Sequence, residues 1–264
     1  MARLNTGENH ENPFKGNNLV RVGWFLVAAY LVYSFNAMGL EWARIEQGLG
    51  HASALLDRMF PPNFSRWELL LSGLAESLEI AIIASIAGIV LSLFFGLFSA
   101  RNLMPNWISI PMRGLIALCR TFHPVIIAIL FVKSVGFGAL AGILTLIVAS
   151  IGFIAKLFAE AIEEISLKQV EAVRATGAGF TSVILFAVMP QVFARFIGFA
   201  TYQLDSNLRN STMVGIVGAG GLGGTLFSAF QRFDYDFVSA ILITIIAIIM
   251  IGEFLSNIVR RIFS

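Results

Sequence analysis

IAIIASIAGIVLSLFFGLFSA, residues 80–100, runs for 21 residues without a charge. A helix of that length rises about 30 Å, the thickness of a bilayer's hydrocarbon core. A second run, Ser134 to Ala155, holds 22 uncharged residues. The composition agrees: 13% of residues are charged and 57% hydrophobic, against about 25% and 45–50% in soluble domains. Mean hydropathy is +0.82. The fold class expected is all-α, a polytopic membrane protein of about six transmembrane helices.

The net charge of +2 is small and its basic residues are scattered, which excludes a nucleic-acid footprint. The single cysteine, Cys119, permits neither a disulfide framework nor a multi-cysteine metal site, and is read as a small buried packing residue. No metal site is expected.

Outward from residues 80–100, the charges mark the boundaries. Residues 1–18 are polar and are expected to form a cytoplasmic tail, and residues 19–264 the transmembrane domain, with a core about 73–260. Val22 to Leu40 is longer than the 7–15 apolar residues of a cleaved signal peptide, so it reads as a retained first span. Residues 41–76, with the turn-forming FPPNF from Phe60, read as an exposed loop with a short amphipathic helix. Span two is placed at 77–99, and Arg101 to Arg113, with two prolines, as a short loop. Arg120 and Lys133 interrupt span three and Pro124 is expected to kink it. Span four falls at about 138–158, span five at about 191–208 after Pro190, and span six at about 237–259 before Arg260 and Arg261. Six spans leave Arg3, Lys15, Arg21, Arg101, Arg113, Lys156, Lys168, Arg174, Arg195, Arg260 and Arg261 on one side, as the positive-inside rule requires of the cytoplasm. Both termini are then cytoplasmic.

Between spans five and six lies GAGGLG, Gly218 to Gly223, which fits the dinucleotide pattern G-x-G-x-x-G. That pattern binds a pyrophosphate only after a strand, at the head of a helix, in a βαβ unit with a ribose-binding acid about 20 residues on. None of that context surrounds Gly218. The glycines are read as close packing or a broken, re-entrant helix, which bilayer depth allows only under cover of protein or a water-filled cavity. No G-x-x-x-x-G-K-[ST] loop is present, so ATP hydrolysis is not expected of this chain.

EAVRATGAGFTSVILFAVMP, Glu171 to Pro190, sits between spans four and five. It resembles the signature of ABC importer permeases, E-A-A followed after three residues by Gly and thirteen further on by Pro. Glu171, Ala172, Gly177 and Pro190 match; Val173, Ala187 and Met189 depart mildly. FPPNFSRW from Phe60, RATGA from Arg174, PQV from Pro190 and SNLRNSTMVGIVGAGGLG from Ser206 look like the phosphonate-type branch, the last also like the methionine-type permeases. The resemblance implies a methionine/phosphonate-like permease fold. It also implies a cytoplasmic coupling segment, about 159–190, of two short helices joined at Gly177. Glu164, Lys168, Glu171, Ala172, Arg174 and Gly177 would meet an ATPase subunit there. The partners implied are two ATPase subunits, which bind ATP and Mg, a second copy of the chain, a periplasmic substrate-binding protein and the bacterial inner membrane. The chain itself would carry no cofactor. Its cargo would be a phosphonate, with phosphate, phosphite or another small substrate as alternatives. An ATP-independent secondary transporter is the rival that leaves the spacing unexplained.

Ionisable groups inside a membrane are functional candidates by their cost. Asp205 and Arg209, four apart, read either as an ion pair or, with Asn207, Ser211 and Thr212, as part of an anion pathway. Arg120 and His123, in RTFHP, form a second candidate, against the reading of a snorkelling Arg and a packed His.

Overall fold

The computed structural model describes residues 18–39 and 42–263. Of the expected tail only Asn18 falls among them; Arg3, Lys15 and Leu40 lie outside. Every regular element among the described residues is helical. The chain divides into two units, residues 1–57 and 58–264.

In the first unit, α1 (Asn18–Ala37) buries none of its residues. A helix apolar on all sides needs lipid around it, and its Trp24, Tyr30 and Tyr33 are exposed. α2 (Trp42–Met59) follows, 18 residues long, so the helix expected in this loop is a substantial one.

The second unit begins with α3 (Trp67–Ser99), α4 (Asn106–Thr121) and α5 (Pro124–Val135). A rod follows, made of α6 (Ala139–Ser150), a π-helical turn (Ile151–Ala155) and α7 (Lys156–Glu163). After α8 (Leu167–Ala175) comes a run of α9 (Phe180–Val183), a π turn (Ile184–Val188), α10 (Met189–Val214) and a third π turn (Gly215–Ala219). α11 (Gly221–Gln231) and α12 (Tyr235–Phe263) complete the chain. Five runs among the described residues are long and apolar enough to cross a bilayer: Asn18–Ala37, Trp67–Ser99, Ala139–Glu163, Phe180–Ala219 and Tyr235–Val259. The pair α4 and α5, bent by 92°, makes a sixth if taken as one broken span. The bend falls immediately before Pro124, where the sequence places a kink.

α3 is the centre of the bundle, in contact with α4, α6, α7, α10 and α11. Its buried stripe is almost all small: Gly73, Ser77, Ala81, Ala84, Ser85, Gly88, Ser92, Gly96 and Ser99. Steps of three or four residues keep these on one face, and small side chains let neighbouring backbones approach. A Cβ added at Gly88 would stand 2.5 Å from the Ser150 Cβ, and one at Gly96 2.9 Å from the Ala155 carbonyl oxygen. The serine hydroxyls spend their donors on the helices: Ser85 Oγ donates to the Ala81 carbonyl at 2.6 Å and Ser92 Oγ to that of Gly88 at 2.6 Å.

Three apolar clusters stack along this core. Leu70, Leu222, Leu226, Phe237 and Ile241 form one end; Ile80, Ala128, Val132, Leu146 and Val214 the middle; Phe158, Ile162, Val170, Val183 and Val192 the α8 end. Polar ties close both ends. Arg66 pairs with Asp234 and lies 4.0 Å over the Phe237 ring, while Asn63 Nδ2 donates to Asp236 Oδ2 at 2.9 Å. At the α8 end Arg113 pairs with Glu163 and donates through Nε to the Ser99 carbonyl at 2.9 Å.

Four sequence expectations are corrected. Span two starts at Trp67, ten residues earlier than 77, because apolarity marks where a helix leaves lipid and not where its hydrogen bonds end. The loop expected over Arg101–Arg113 is mostly helix: Pro105 caps α4 and Pro111 lies within it, its missing N–H falling opposite the exposed turn at Trp107. Span five does not begin after Pro190: the proline lies inside one run from Phe180 to Ala219. The π turn at 184–188 opens the backbone just ahead of it, relieving the clash between the proline ring and the carbonyl four residues back. Cys119 is half-buried on α4, not fully buried.

Gly88→Val is expected to destabilise the bundle by about 1–3 kcal/mol through overpacking. Gly114→Ala, where an added Cβ meets nothing within 4 Å, should be neutral or slightly stabilising. Thermal unfolding in detergent distinguishes them; equal midpoints would contradict the close approach of α3 and α6.

Candidate functional site: the α8 hook and the polar half of α10

α8 has nine residues and is held by one face. Val170 is 2% exposed in the α8-end cluster. Ser166 N donates to Gln191 Oε1 at 2.9 Å, fastening the hook's entry to α10. The exit turns at Gly177, φ +78, with its N–H donating to the Arg174 carbonyl at 3.0 Å and Thr176 Oγ1 to that of Val173 at 2.8 Å. A positive φ is what glycine supplies without steric cost. Val173 and Ala178 pack against the same cluster, while Lys168, Glu171, Ala172, Arg174 and Gly177 are exposed, as are the apolar Leu167 and Phe180 that flank them. Lys168, Glu171 and Arg174 make no ion pair among the described residues, whereas Glu164, also exposed, is paired with Arg195. The turn at Gly177 is where the sequence puts it. The second helix is not short: it is the start of the run from Phe180 to Ala219.

Helical spacing splits the polar residues of α10 between two faces. At 100° per residue, Gln203, Asn207 and Ser211 fall together, opposite Asp205, Arg209 and Thr212. On the first face Asn207 is wholly buried. Its Nδ2 donates to Ser85 Oγ at 2.9 Å and Ser150 Oγ at 3.1 Å, and its Oδ1 accepts from Gln203 Nε2 at 2.9 Å. Gln203 Nε2 also donates to Ser150 Oγ at 2.9 Å, so the network joins α3, α6 and α10. Ser211, equally buried, donates to the Leu208 carbonyl at 2.8 Å. Gln203, Ser85 and Ser150 were not singled out from the sequence. Their signal in the sequence is the four-residue step between two amides, Gln203 and Asn207, which puts both on one face of the helix.

On the other face Arg209 Nη2 donates to Asp205 Oδ2 at 3.3 Å. The pair is lopsided: Arg209's side chain is 54% exposed and Asp205's 8%, and Asp205 Oδ1 is buried with no hydrogen-bond partner among the described residues. Thr212 is half-buried, its carbonyl pressed against Gly223.

The glycine stretch breaks the helix. Gly218, Gly220 and Gly221 have φ of +97, +84 and +72, and α11 starts there with its N-terminus against α3. The Leu222 N–H donates to Ser77 Oγ at 2.8 Å, the Glu76 carboxylate lies where a Gly220 side chain would go, and Gly138 N donates to the Gly218 carbonyl at 3.0 Å. The Leu222 N–H, a donor that the head of a nucleotide-binding helix would turn to a pyrophosphate, is thus taken by Ser77, and a carboxylate stands beside Gly220. Arg120, finally, is on a separate element. It is exposed, beside a cavity between α4 and α7, and His123 Nδ1 accepts from Val125 N at 3.3 Å as the cap of α5.

A bundle of long apolar helices, a broken helix inside it and a hook presented at one end define a membrane permease subunit. The chain belongs to the binding-protein-dependent transport system inner membrane component family, which it matches over residues 88–264. It is 37% identical over 240 residues to the phosphate-import permease protein PhnE of Mycolicibacterium smegmatis, across 89% of this chain and 43% of that protein. The phosphite transport system permease protein PtxC of Stutzerimonas stutzeri is 36% identical over 84% of this chain and 81% of its own length. PhnE2 of Escherichia coli, named for a cryptic phosphonate transport system, is 40% identical across 45% of this chain and 97% of that protein. The chain thus spans under half of the mycobacterial relative and most of the other two. Among solved structures, the inward-facing MetNI methionine ABC transporter gives a TM-score of 0.66 at 23% identity, covering 76% of this chain and 99% of that one. That likeness establishes the fold.

Asn207→Leu is expected to lower stability by about 1–3 kcal/mol, since it strands the buried Gln203 and Ser150 groups. Arg209→Gln strands the Asp205 carboxylate less completely, since a side-chain amide remains on the exposed side of the pair, and should cost less than Asn207→Leu. Unfolding midpoints of the two variants in the same detergent check the split between faces.

Proposed function

We propose that this chain is the translocation subunit of an ATP-driven importer that carries a phosphorus oxyanion, a phosphonate in the first instance, inward across the bacterial inner membrane. The observation that carries the reading is the agreement of relatives matched over 84–89% of the chain, each named for a phosphorus oxyanion. Two copies would line one pathway, with both termini cytoplasmic. Two ATPase subunits holding ATP and Mg would grip the hooks through Lys168, Glu171, Ala172, Arg174 and Gly177, with Glu164 at the rim. A periplasmic binding protein would deliver cargo to the opposite face.

On this reading the chain's work is mechanical. ATP binding in the partners draws the hooks together and opens the pathway outward, and hydrolysis resets it, a shift between two packings. What supports a role for Arg209 is its exposure: an available guanidinium suits transient compensation of an oxyanion. Asn207 serves the pathway by holding α10 against α3 and α6, and Ser211, buried on the same face, bonds within α10. Thr212 and Asp205 stand beside Arg209 on its own face.

The test is uptake of radiolabelled methylphosphonate, phosphite and phosphate by cells lacking native carriers and expressing this chain with its ATPase and binding protein. Methylphosphonate uptake that depends on the ATPase is expected; preferential uptake of phosphite or phosphate would reassign the cargo, and ATPase-independent uptake would sink the class. Gly177→Val forces a β-branched residue into the left-handed region, a strain of about 1–2 kcal/mol, or roughly tenfold in a docking equilibrium. Uptake should fall accordingly while the chain still assembles, because the added side chain meets nothing within 4 Å. Arg209→Gln should reduce uptake without reducing ATPase binding.

A further inference from the structure

A cavity of about 240 Å³ opens between α4 and α7 at the hook end of the bundle, lined among others by Ser99, Arg113, Ile116, Arg120, Lys156 and Glu160. Its charges are unevenly matched. Arg113 is committed to Glu163 and to the Ser99 carbonyl. Lys156 reaches Glu160 only at 3.4 Å, both side chains being about half exposed at 46% and 48%. Arg120 has no ion-pair partner among the described residues. One cation is therefore uncompensated in a concave site with apolar walls, where it favours an anion.

The backbone is shaped around that cation. Gly152, inside the π turn before Lys156, has no side chain where the Arg120 stem crosses it: an added Cβ would stand 2.9 Å from Arg120 Cγ. The turn thus lets α4 lie against the α6–α7 rod and brings a guanidinium and an ammonium from two different elements to one cavity. The space exceeds by an order of magnitude the roughly 10–15 Å³ that one water requires.

We infer that this cavity binds the tetrahedral oxyanion of a phosphate group, Arg120 contributing a planar fork of donors and Lys156 a point charge. Glu160 sets the selectivity. An incoming ligand must draw Lys156 from that carboxylate, which favours a group with several acceptor oxygens over a simple carboxylate. The phosphate can come from an anionic lipid headgroup at the bilayer surface or from dissolved inorganic phosphate; the chemistry of recognition is the same. Occupancy would tie α4 to α7. The site is distinct from Arg209 and its occupancy does not depend on which cargo the permease carries.

The full-length chain is compared with Arg120→Gln, Lys156→Gln, the charge-preserving Arg120→Lys and, as control, Arg101→Gln at the same end but outside the cavity. One arm measures saturable binding of radiolabelled inorganic phosphate to protein in neutral detergent. The other measures phosphatidylglycerol retained by native mass spectrometry after reconstitution in phosphatidylcholine vesicles containing it. In whichever arm binds, Arg120→Gln and Lys156→Gln should each weaken binding about tenfold, the loss of one charge-assisted contact. Arg120→Lys should keep most of it and Arg101→Gln all of it. Lipid retention alone identifies a headgroup site, phosphate binding alone a soluble-anion site, and binding in both a site open to either. Lys156→Gln, on an exposed side chain, keeps the test decisive if Arg120→Gln folds poorly. Absence of binding in both arms, or equal binding by all five proteins, overturns the inference.

Discussion

The bundle depends on how near other backbones can come to α3. Its row of glycine, alanine and serine admits Ser150 beside Gly88, Ala155 beside Gly96, and the head of α11 beside Ser77. Lipid supplies no hydrophobic drive for one apolar helix to leave it for another, so close van der Waals contact and interhelical hydrogen bonds must hold the helices together. The same closeness makes the polar network feasible. Ser85 and Ser150 meet the amides of Gln203 and Asn207 only because no larger side chain on α3 holds α6 and α10 away. It also makes the broken helix tolerable, since the Leu222 N–H finds Ser77 at 2.8 Å, where an unsatisfied donor in the bilayer would cost several kcal/mol.

From that core follows the arrangement of the working parts. The hook enters from α7 and leaves directly into the run from Phe180 to Ala219, which carries Asp205, Arg209 and Thr212 and ends at the glycine break. The hook and the face of Asp205, Arg209 and Thr212 are thus neighbours in the chain, separated by the turn at Gly177 and by the π turn at 184–188. Because Gln191 binds Ser166, the hook cannot swing about Gly177 without disturbing α10. In the reading proposed for this chain, displacement at the hook reaches α10 through the Ser166–Gln191 hydrogen bond and the packing of Val170 and Val192 in one cluster.

Much of this is written in local chemistry. Uncharged runs such as Ile80–Ala100 mark bilayer crossings because charge is excluded there, and the spacing from Glu171 through Gly177 to Pro190 marks the hook because a positive-φ turn is needed at one place. Helix ends are less legible. Trp67–Glu76 is helical in spite of its acids, as α3 continues beyond the lipid, and hydropathy does not register that. Prolines mislead in the same way: Pro105 and Pro111 read as loop residues and Pro190 as a span boundary, yet one caps a helix, one lies within it, and one follows a π turn that no local pattern announces. The division of α10 into two faces lay in the spacing of residues 203 to 212. Which face is buried was settled only by Ser85 and Ser150, more than 50 residues away in sequence.

The pairing of Asp205 with Arg209 limits what Arg209 can do for an anion. Were the guanidinium to move wholly to a passing oxyanion, the Asp205 carboxylate would remain, largely buried and with one oxygen already unpartnered. Breaking such a pair costs about 3–5 kcal/mol when both groups are buried, and the exposure of Arg209 makes the cost here smaller without removing it. An approaching anion therefore gains attraction from Arg209 less the penalty of loosening Asp205. On the reading proposed for this chain, the net interaction would be weak and reversible, as a pathway that must release its cargo on the far side requires. On that reading, a carboxylate beside the cation, which at first sight opposes anion passage, would be what keeps the cation from holding the anion too tightly.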